Sequence, residues 1–158
     1  MYSDTGHSVL LRSDGTAVTC GDNRYGQCNI PRLPEGVTYT QVDTGMYHTA
    51  YLVSDGSAVA RGRNENGECN IPVLPDGVIY TQVAAGYVYT ILLMSDGAFV
   101  VCGDDNWRMC DCHTFSICCA RPNIPTLPDG VDCEQIAAGP SHTVLLNSDG
   151  SAAAYGSN

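Results

Sequence analysis

The chain has 158 residues, 44% of them hydrophobic, enough for an ordinary domain to bury most of its apolar surface. Seven Lys and Arg stand against 17 Asp and Glu, and the net charge of -10 repels phosphate backbones and attracts basic surfaces, so direct nucleic-acid binding is not expected. Nine cysteines would suggest disulfides in a short exported chain, but the count is odd, no leader pattern opens the sequence and no stretch approaches the roughly 20 apolar residues that span a bilayer; the expectation is a soluble intracellular protein, cytoplasmic or nuclear, with reduced thiols and no membrane contact.

In chain order, a truncated first copy of a repeat contains His7, the turn signal Ser13-Asp14-Gly15, a strand-like run ending at Cys20, and the polar segment from Gly21 to Gln27. Asn29-Ile30-Pro31 then leads to the second copy, which starts at Gly36-Val37. There the strand-length runs are Tyr39 to Val42, His48 to Val53 and Ser57 to Arg61, rich in Val, Tyr, Thr and Leu and punctuated by Gly45, Asp55-Gly56 and Gly62. The third copy repeats these marks at Gly77-Val78, Gln82, Gly86, Ser95-Asp96-Gly97 and Gly103. Twelve extra residues, Asp111 to Pro122, precede Asn123-Ile124-Pro125 and the fourth copy, with Gly130-Val131, Gln135, Gly139, Ser148-Asp149-Gly150 and Gly156. The Ser-Asp-Gly spacings are 41, 41 and 53, so the chain reads as one repeat domain, 1-158, with a period of 41, about three and a half copies and an insertion at 111-122 in the third. Each Asp-Gly is expected to form a two-residue type I′ hairpin between antiparallel strands. No segment has a convincing helical period, and a 41-residue unit of three or four short strands suits a propeller blade.

The pattern Gly45-Met46-Tyr47-His48-Thr49, then Ser54-Asp55-Gly56, together with Gly21-Asp22-Asn23-Arg24-Tyr25-Gly26-Gln27, resembles the repeat of the regulator of chromosome condensation family. The resemblance covers nearly the whole sequence and implies an all-β fold of β-propeller blades of that type. The resemblance implies seven blades for a complete ring, of which this chain supplies about half, so an incomplete propeller is expected, with open edges available for self-association. The third copy departs from the pattern, with Arg108-Met109 where the first has Gly26-Gln27.

Residues that could carry chemistry have structural readings beside the functional ones. His48 and His142 share a repeat phase with Tyr89, and a catalytic histidine seldom recurs once per blade; a hydrogen bond to a neighbouring strand or loop is expected instead. Cys110, Cys112, His113, Cys118 and Cys119 offer zinc-ligating groups, but Cys110 has repeat counterparts in Cys28 and Cys69 and the spacing is not that of paired knuckles. The alternatives are a surface insertion with free thiols or a segment without a role. Cys20, Cys102 and Cys133 suit small buried positions, and Asp104-Asp105 falls in a polar loop phase. No phosphate-loop, nucleophile-elbow, zincin or dinucleotide pattern is present, and no catalytic, cofactor or metal site is assigned.

The expected function is a non-catalytic protein-interaction module, as the recognition part of a ubiquitin-ligase-like or scaffold protein, with protein partners that present basic surfaces. The alternative that the resemblance implies is a guanine-nucleotide exchange factor for a small GTPase.

Overall fold

The computed structural model describes residues 6–103, 131–140 and 142–156. Among the described residues, eleven strands form four antiparallel sheets. The first sheet pairs β1 (His7–Leu11) with β2 (Ala17–Gly21). The second contains β3 (Tyr39–Thr44), β4 (His48–Val53) and β5 (Ala58–Gly62), with β4 in the middle. The third repeats this order with β6 (Tyr80–Ala85), β7 (Tyr89–Met94) and β8 (Phe99–Gly103), and the fourth with β9 (Cys133–Ala138), β10 (His142–Asn147) and β11 (Ala152–Gly156). Consecutive sheets pack face to face, and their first strands β3, β6 and β9 lie next to one another. These are successive propeller blades, amounting to part of a ring.

The middle strands β4 and β7 are buried on both faces, as a blade between two neighbours requires. Along β4, Tyr51 and Val53 pack toward the first blade, with Val9, Ala17, Leu33 and Val37. Ala50 and Leu52 pack the opposite way, against Val83, Leu92 and Val100 of the third blade. In β7, Ile91 and Leu93 continue the pattern toward Ile136 and Leu145 of the fourth. The Asn-Ile-Pro connections are part of this core: Leu33 and Val37 lie in the first layer, and Cys69, Ile71 and Leu74 in the second. Tyr80 holds its connection in place by donating from its hydroxyl to Pro72 O at 2.9 Å, and Tyr39 does the same to Pro31 O.

The Asp-Gly turns differ from the two-residue type I′ hairpins expected above. Arg12 N–H donates to Thr16 O at 2.8 Å and Gly15 N–H to Arg12 O at 3.0 Å, which leaves Ser13, Asp14 and Gly15 as a three-residue loop. The same pair of bonds closes the turns at Gly56, Gly97 and Gly150. The glycine alone needs the left-handed region, at φ 79° for Gly15 and 82° for Gly56. Each aspartate bends back to cap the strand that follows, Asp55 Oδ1 accepting from Ser57 N–H at 2.9 Å. Those hydrogen bonds, with the Ser57 hydroxyl foremost, hold the Asp55 carboxyl below its ordinary range. In the last three blades the serine of the motif faces the other way: Ser54 Oγ accepts from Thr38 N–H at 3.1 Å, Ser95 Oγ from Ile79 N–H at 3.2 Å and Ser148 Oγ from Asp132 N–H at 3.1 Å, tying these turns to the start of their own blades.

The insertion 111–122, its cysteine cluster and Asp104-Asp105 lie outside the described residues. Among the described residues no helix is long and apolar enough to cross a membrane.

Candidate protein-interaction surface

The recurring polar residues are consumed in joining blades. His7 Nε2 lies 2.7 Å from Thr49 Oγ1, and His48 Nε2 lies 2.9 Å from Thr90 Oγ1. Both threonine hydroxyls already donate their single proton, Thr49 to Gln27 O and Thr90 to Glu68 O, each at 2.8 Å. Each histidine therefore donates through Nε2–H. Tyr89 substitutes for histidine at this phase, its hydroxyl 2.8 Å from His142 O and 3.1 Å from Thr143 Oγ1. His142 is exposed, unlike His48, which is fully buried.

Burial is the main cause that pushes His48 down to about 4, repulsion from His7 adds to it, and the Tyr89 backbone opposes it. With Nδ1 unpartnered, the ring is a neutral donor. Gly45, Gly86 and Gly139 make room for these rings: a Cβ on Gly45 would lie 2.2 Å from His48 Cε1 and 2.4 Å from Gly86 O.

The repeat glutamines form a second set of staples. Gln41 Oε1 accepts from Val83 N–H at 2.9 Å, and Gln82 Oε1 accepts from Ile136 N–H at 3.0 Å. The cysteines close loops: Cys69 Sγ donates to Arg63 O at 3.3 Å, and Cys28 does the same to Asp22 O at 3.3 Å. Burial pushes the Cys69 thiol up to about 12, the reverse of what a nucleophile needs. Cys102 and Cys133 are buried, whereas Cys20, expected at a small buried position, is exposed because its face of β2 has no blade against it. Asp22 is held by Arg24 Nε at 2.9 Å and Gln27 Nε2 at 3.0 Å, in its polar loop. Among the described residues no three His, Cys, Asp or Glu side chains group as a metal site.

What the blade contacts leave free is a rim. The Asp-Gly turns of all four blades occupy equivalent places, the glycine carbonyl of one accepting from the first strand of the next: Tyr39 N–H to Gly15 O and Tyr80 N–H to Gly56 O, both 2.9 Å. Asp14, Glu35, Asp55, Asp76, Asp96 and Asp149 are exposed along it. Between the third and fourth blades the rim opens into a cleft of about 380 Å³ lined by Asp96, Asp132 and Glu134, with Gln82, Met94 and Cys133 behind them. Asp132 and Glu134 depart from the repeat. Their counterparts are Thr38 and Thr40 in the second copy and Ile79 and Thr81 in the third, so this junction alone has three carboxylates among the described residues.

Comparison with known proteins fits this architecture. The family model "Regulator of chromosome condensation (RCC1) repeat" matches residues 5–27, the segment whose His7 and Gln27 join the first two blades. Residues 5–27 match this repeat, and the fold is that of RCC1-type propeller blades. Human WBSCR16 superposes with a TM-score of 0.73 at 22% identity, over 95% of this chain and 44% of that one. Yeast RCC1 (Prp20) in complex with Kap60 gives 0.72 at 20%, over 95% and 41%. Prp20p from Saccharomyces cerevisiae, described with its binding properties to Gsp1p and histones, gives 0.70 at 20%, over 95% and 43%. The chain thus spans less than half the length of these RCC1-type propellers. No curated protein sequence matches it.

Sequence reasoning expected a hydrogen bond from His48 to a neighbouring strand and a blade-structural role for Cys28 and Cys69, which share one repeat phase, and their contacts are those of a joint and of loop closures, whereas His142, expected to act like His48, is exposed. It missed the cleft. The available signal was the pair of acidic residues, Asp132 and Glu134, at positions the repeat fills with Thr or Ile.

Proposed function

We propose that this chain is a non-catalytic protein-binding module whose acidic rim receives Lys- or Arg-rich segments of a partner. The observation that supports the reading is the cleft of Asp96, Asp132 and Glu134: three carboxylates at one opening, in a chain of net charge -10, favour a single cationic side chain far more than an anion or an apolar group. The description of Prp20p by its binding to histones, which are basic proteins, agrees with this preference. The module would serve as the recognition part of a scaffold or ubiquitin-ligase-like assembly in the nucleus or cytoplasm.

A pull-down from lysate at low and high salt, followed by a nucleotide-release assay on any GTPase recovered, tests the reading. Basic proteins released by salt, with unchanged nucleotide release, are expected. Accelerated release by this chain alone would replace it with the exchange-factor reading, in which catalysis comes from binding the distorted GTPase more tightly.

A further inference from the structure

The rim breaks the repeat a second time, with apolar residues. Val73 stands where the first and fourth copies have Arg32 and Thr126, and Ile79 where they have Thr38 and Asp132. Val73 is 99% exposed and Ile79 47%. Scattered apolar residues on a surface are ordinary, but these two line one cleft of about 260 Å³ together with Ile71, Leu74 and Val78. The cleft lies between the Asp-Gly turn of the second blade and the Asn-Ile-Pro connection into the third, two blades of three strands each.

Its walls are fixed and their backbone donors are spent. Ile79 packs on the turn, where a Cβ on Gly56 would lie 2.6 Å from it. The N–H groups of Val78, Ile79 and Tyr80 donate to Pro75 O, Ser95 Oγ and Gly56 O. What the cleft offers a ligand is therefore aliphatic surface, with the exposed Asp55 carboxylate at its edge. Asp55 Oδ1 accepts from the Ser57 N–H and hydroxyl, and no cation pairs with this carboxylate among the described residues. The junction before it differs, because Asp14 there feels the charge of Arg12 and the connection carries Arg32, so cations are already supplied. The acidic cleft adjoins on the other side: Ile79 and Tyr80 line the apolar opening, and the next two residues, Thr81 and Gln82, line the acidic one. The two openings flank the third blade, roughly 10 Å apart on the spacing of packed sheets, a distance that three or four extended residues cover.

We infer that the apolar cleft receives an aliphatic side chain of the same basic segment, three or four residues from the Lys or Arg held by Asp96, Asp132 and Glu134. An opening of about 260 Å³ falls below the roughly 300–1,000 Å³ of small-molecule sites and suits one side chain. The carboxylate at its edge, in a chain of net charge -10, turns away acidic partners and favours a basic one. The ligand class is thus a basic segment carrying one Leu, Ile or Val, as distinct from a tract of Lys alone. Recognition of this kind rests on the acidic-cleft reading proposed above and adds selectivity among basic segments to it.

Fluorescence titration of the purified chain tests this with a Lys-rich peptide whose other positions are Gly and Ser, and with versions of equal charge carrying one Leu two to six residues to either side of a Lys pair. At the best position the Leu is expected to tighten binding to wild type about tenfold, the gain from burying most of such a side chain. The double variant Val73→Thr, Ile79→Thr introduces the residue type that Thr126 and Thr38 supply at these positions elsewhere in the repeat. It is expected to lose the Leu gain while keeping its circular dichroism and its affinity for the Leu-free peptide. Asp132→Asn, Glu134→Gln should instead weaken both kinds of peptide by the same factor. No Leu gain at any position, or a gain that survives Val73→Thr, Ile79→Thr, would overturn the inference and leave the acidic cleft standing. Failure of every peptide to bind would remove the acidic-cleft reading and this one with it. Self-association of wild type that Val73→Thr, Ile79→Thr abolishes, seen by light scattering without any Leu gain, would assign the cleft to a second copy of the chain.

Discussion

At His48 the cost of burying a charge and the need for a donor are reconciled by keeping the ring neutral with its proton on Nε2. That has a consequence for stability. The unfolded chain protonates this histidine near its ordinary 6.5, whereas the folded chain refuses the proton until about pH 4. Between those values the unfolded state binds more protons, so stability is complete above about 6.5 and falls as pH drops toward about 4, by roughly 3 kcal/mol. Urea denaturation at pH 7.5 and pH 4.5 checks this. His48→Tyr, which copies Tyr89, is expected to flatten the difference, and an equally acid-sensitive variant would contradict the assignment. His7 is shifted in the same direction, with burial as the main cause, so a smaller dependence should remain in that variant.

The neighbouring glycine is the steric half of the same joint. Gly45→Ala puts a Cβ 2.2 Å from the His48 ring and 2.4 Å from the Gly86 carbonyl, and backbone cannot yield as a flexible side chain can. The expected cost is about 1–3 kcal/mol, seen as a lowered denaturation midpoint with an unchanged slope.

Strands, turns and joints were legible to different degrees. β4 was readable at both ends, His48 to Val53, because alternation is replaced there by a continuous run of β-formers between two glycine-marked turns. The turns were readable as hairpins and misread in length: the dipeptide Asp-Gly suits a two-residue loop, but the pairing of Arg12 with Thr16 brings the serine into the loop and leaves one left-handed position. No local signal decides that, since register is set by the bonds on either side. The phase of Gln41, Gln82 and Gln135 was visible, but their purpose was not, because the partner N–H groups lie 42 and 54 residues away. Gln41→Ala would leave the amide of Val83, a fully buried residue, without an acceptor, at an expected cost of about 1–3 kcal/mol. Hydrogen exchange at that amide is the direct readout: much faster exchange is expected there, with the centre of β7 little changed. Unchanged protection at Val83 would show that the staple adds nothing.

For the whole molecule, a repeat whose polar residues mostly serve its own joints leaves function to the positions where the repeat is broken. Asp132 and Glu134 are such positions, and without a structure their departure from Thr and Ile looks like ordinary surface variation. Their place opposite Asp96 across a cleft is the observation that supports the proposed recognition of basic partners. The direct measurement is a binding titration of a fluorescent Lys-rich peptide against wild type and the double variant Asp132→Asn, Glu134→Gln at two ionic strengths. Among the described residues these two side chains accept none of the blade-joining hydrogen bonds, and the substitutions keep their size. Wild type should bind with an affinity that falls as salt rises, and the double variant should bind about tenfold more weakly with a shallower salt dependence. Equal affinity and equal salt dependence in the two proteins would contradict the claim that this cleft recognises basic partners.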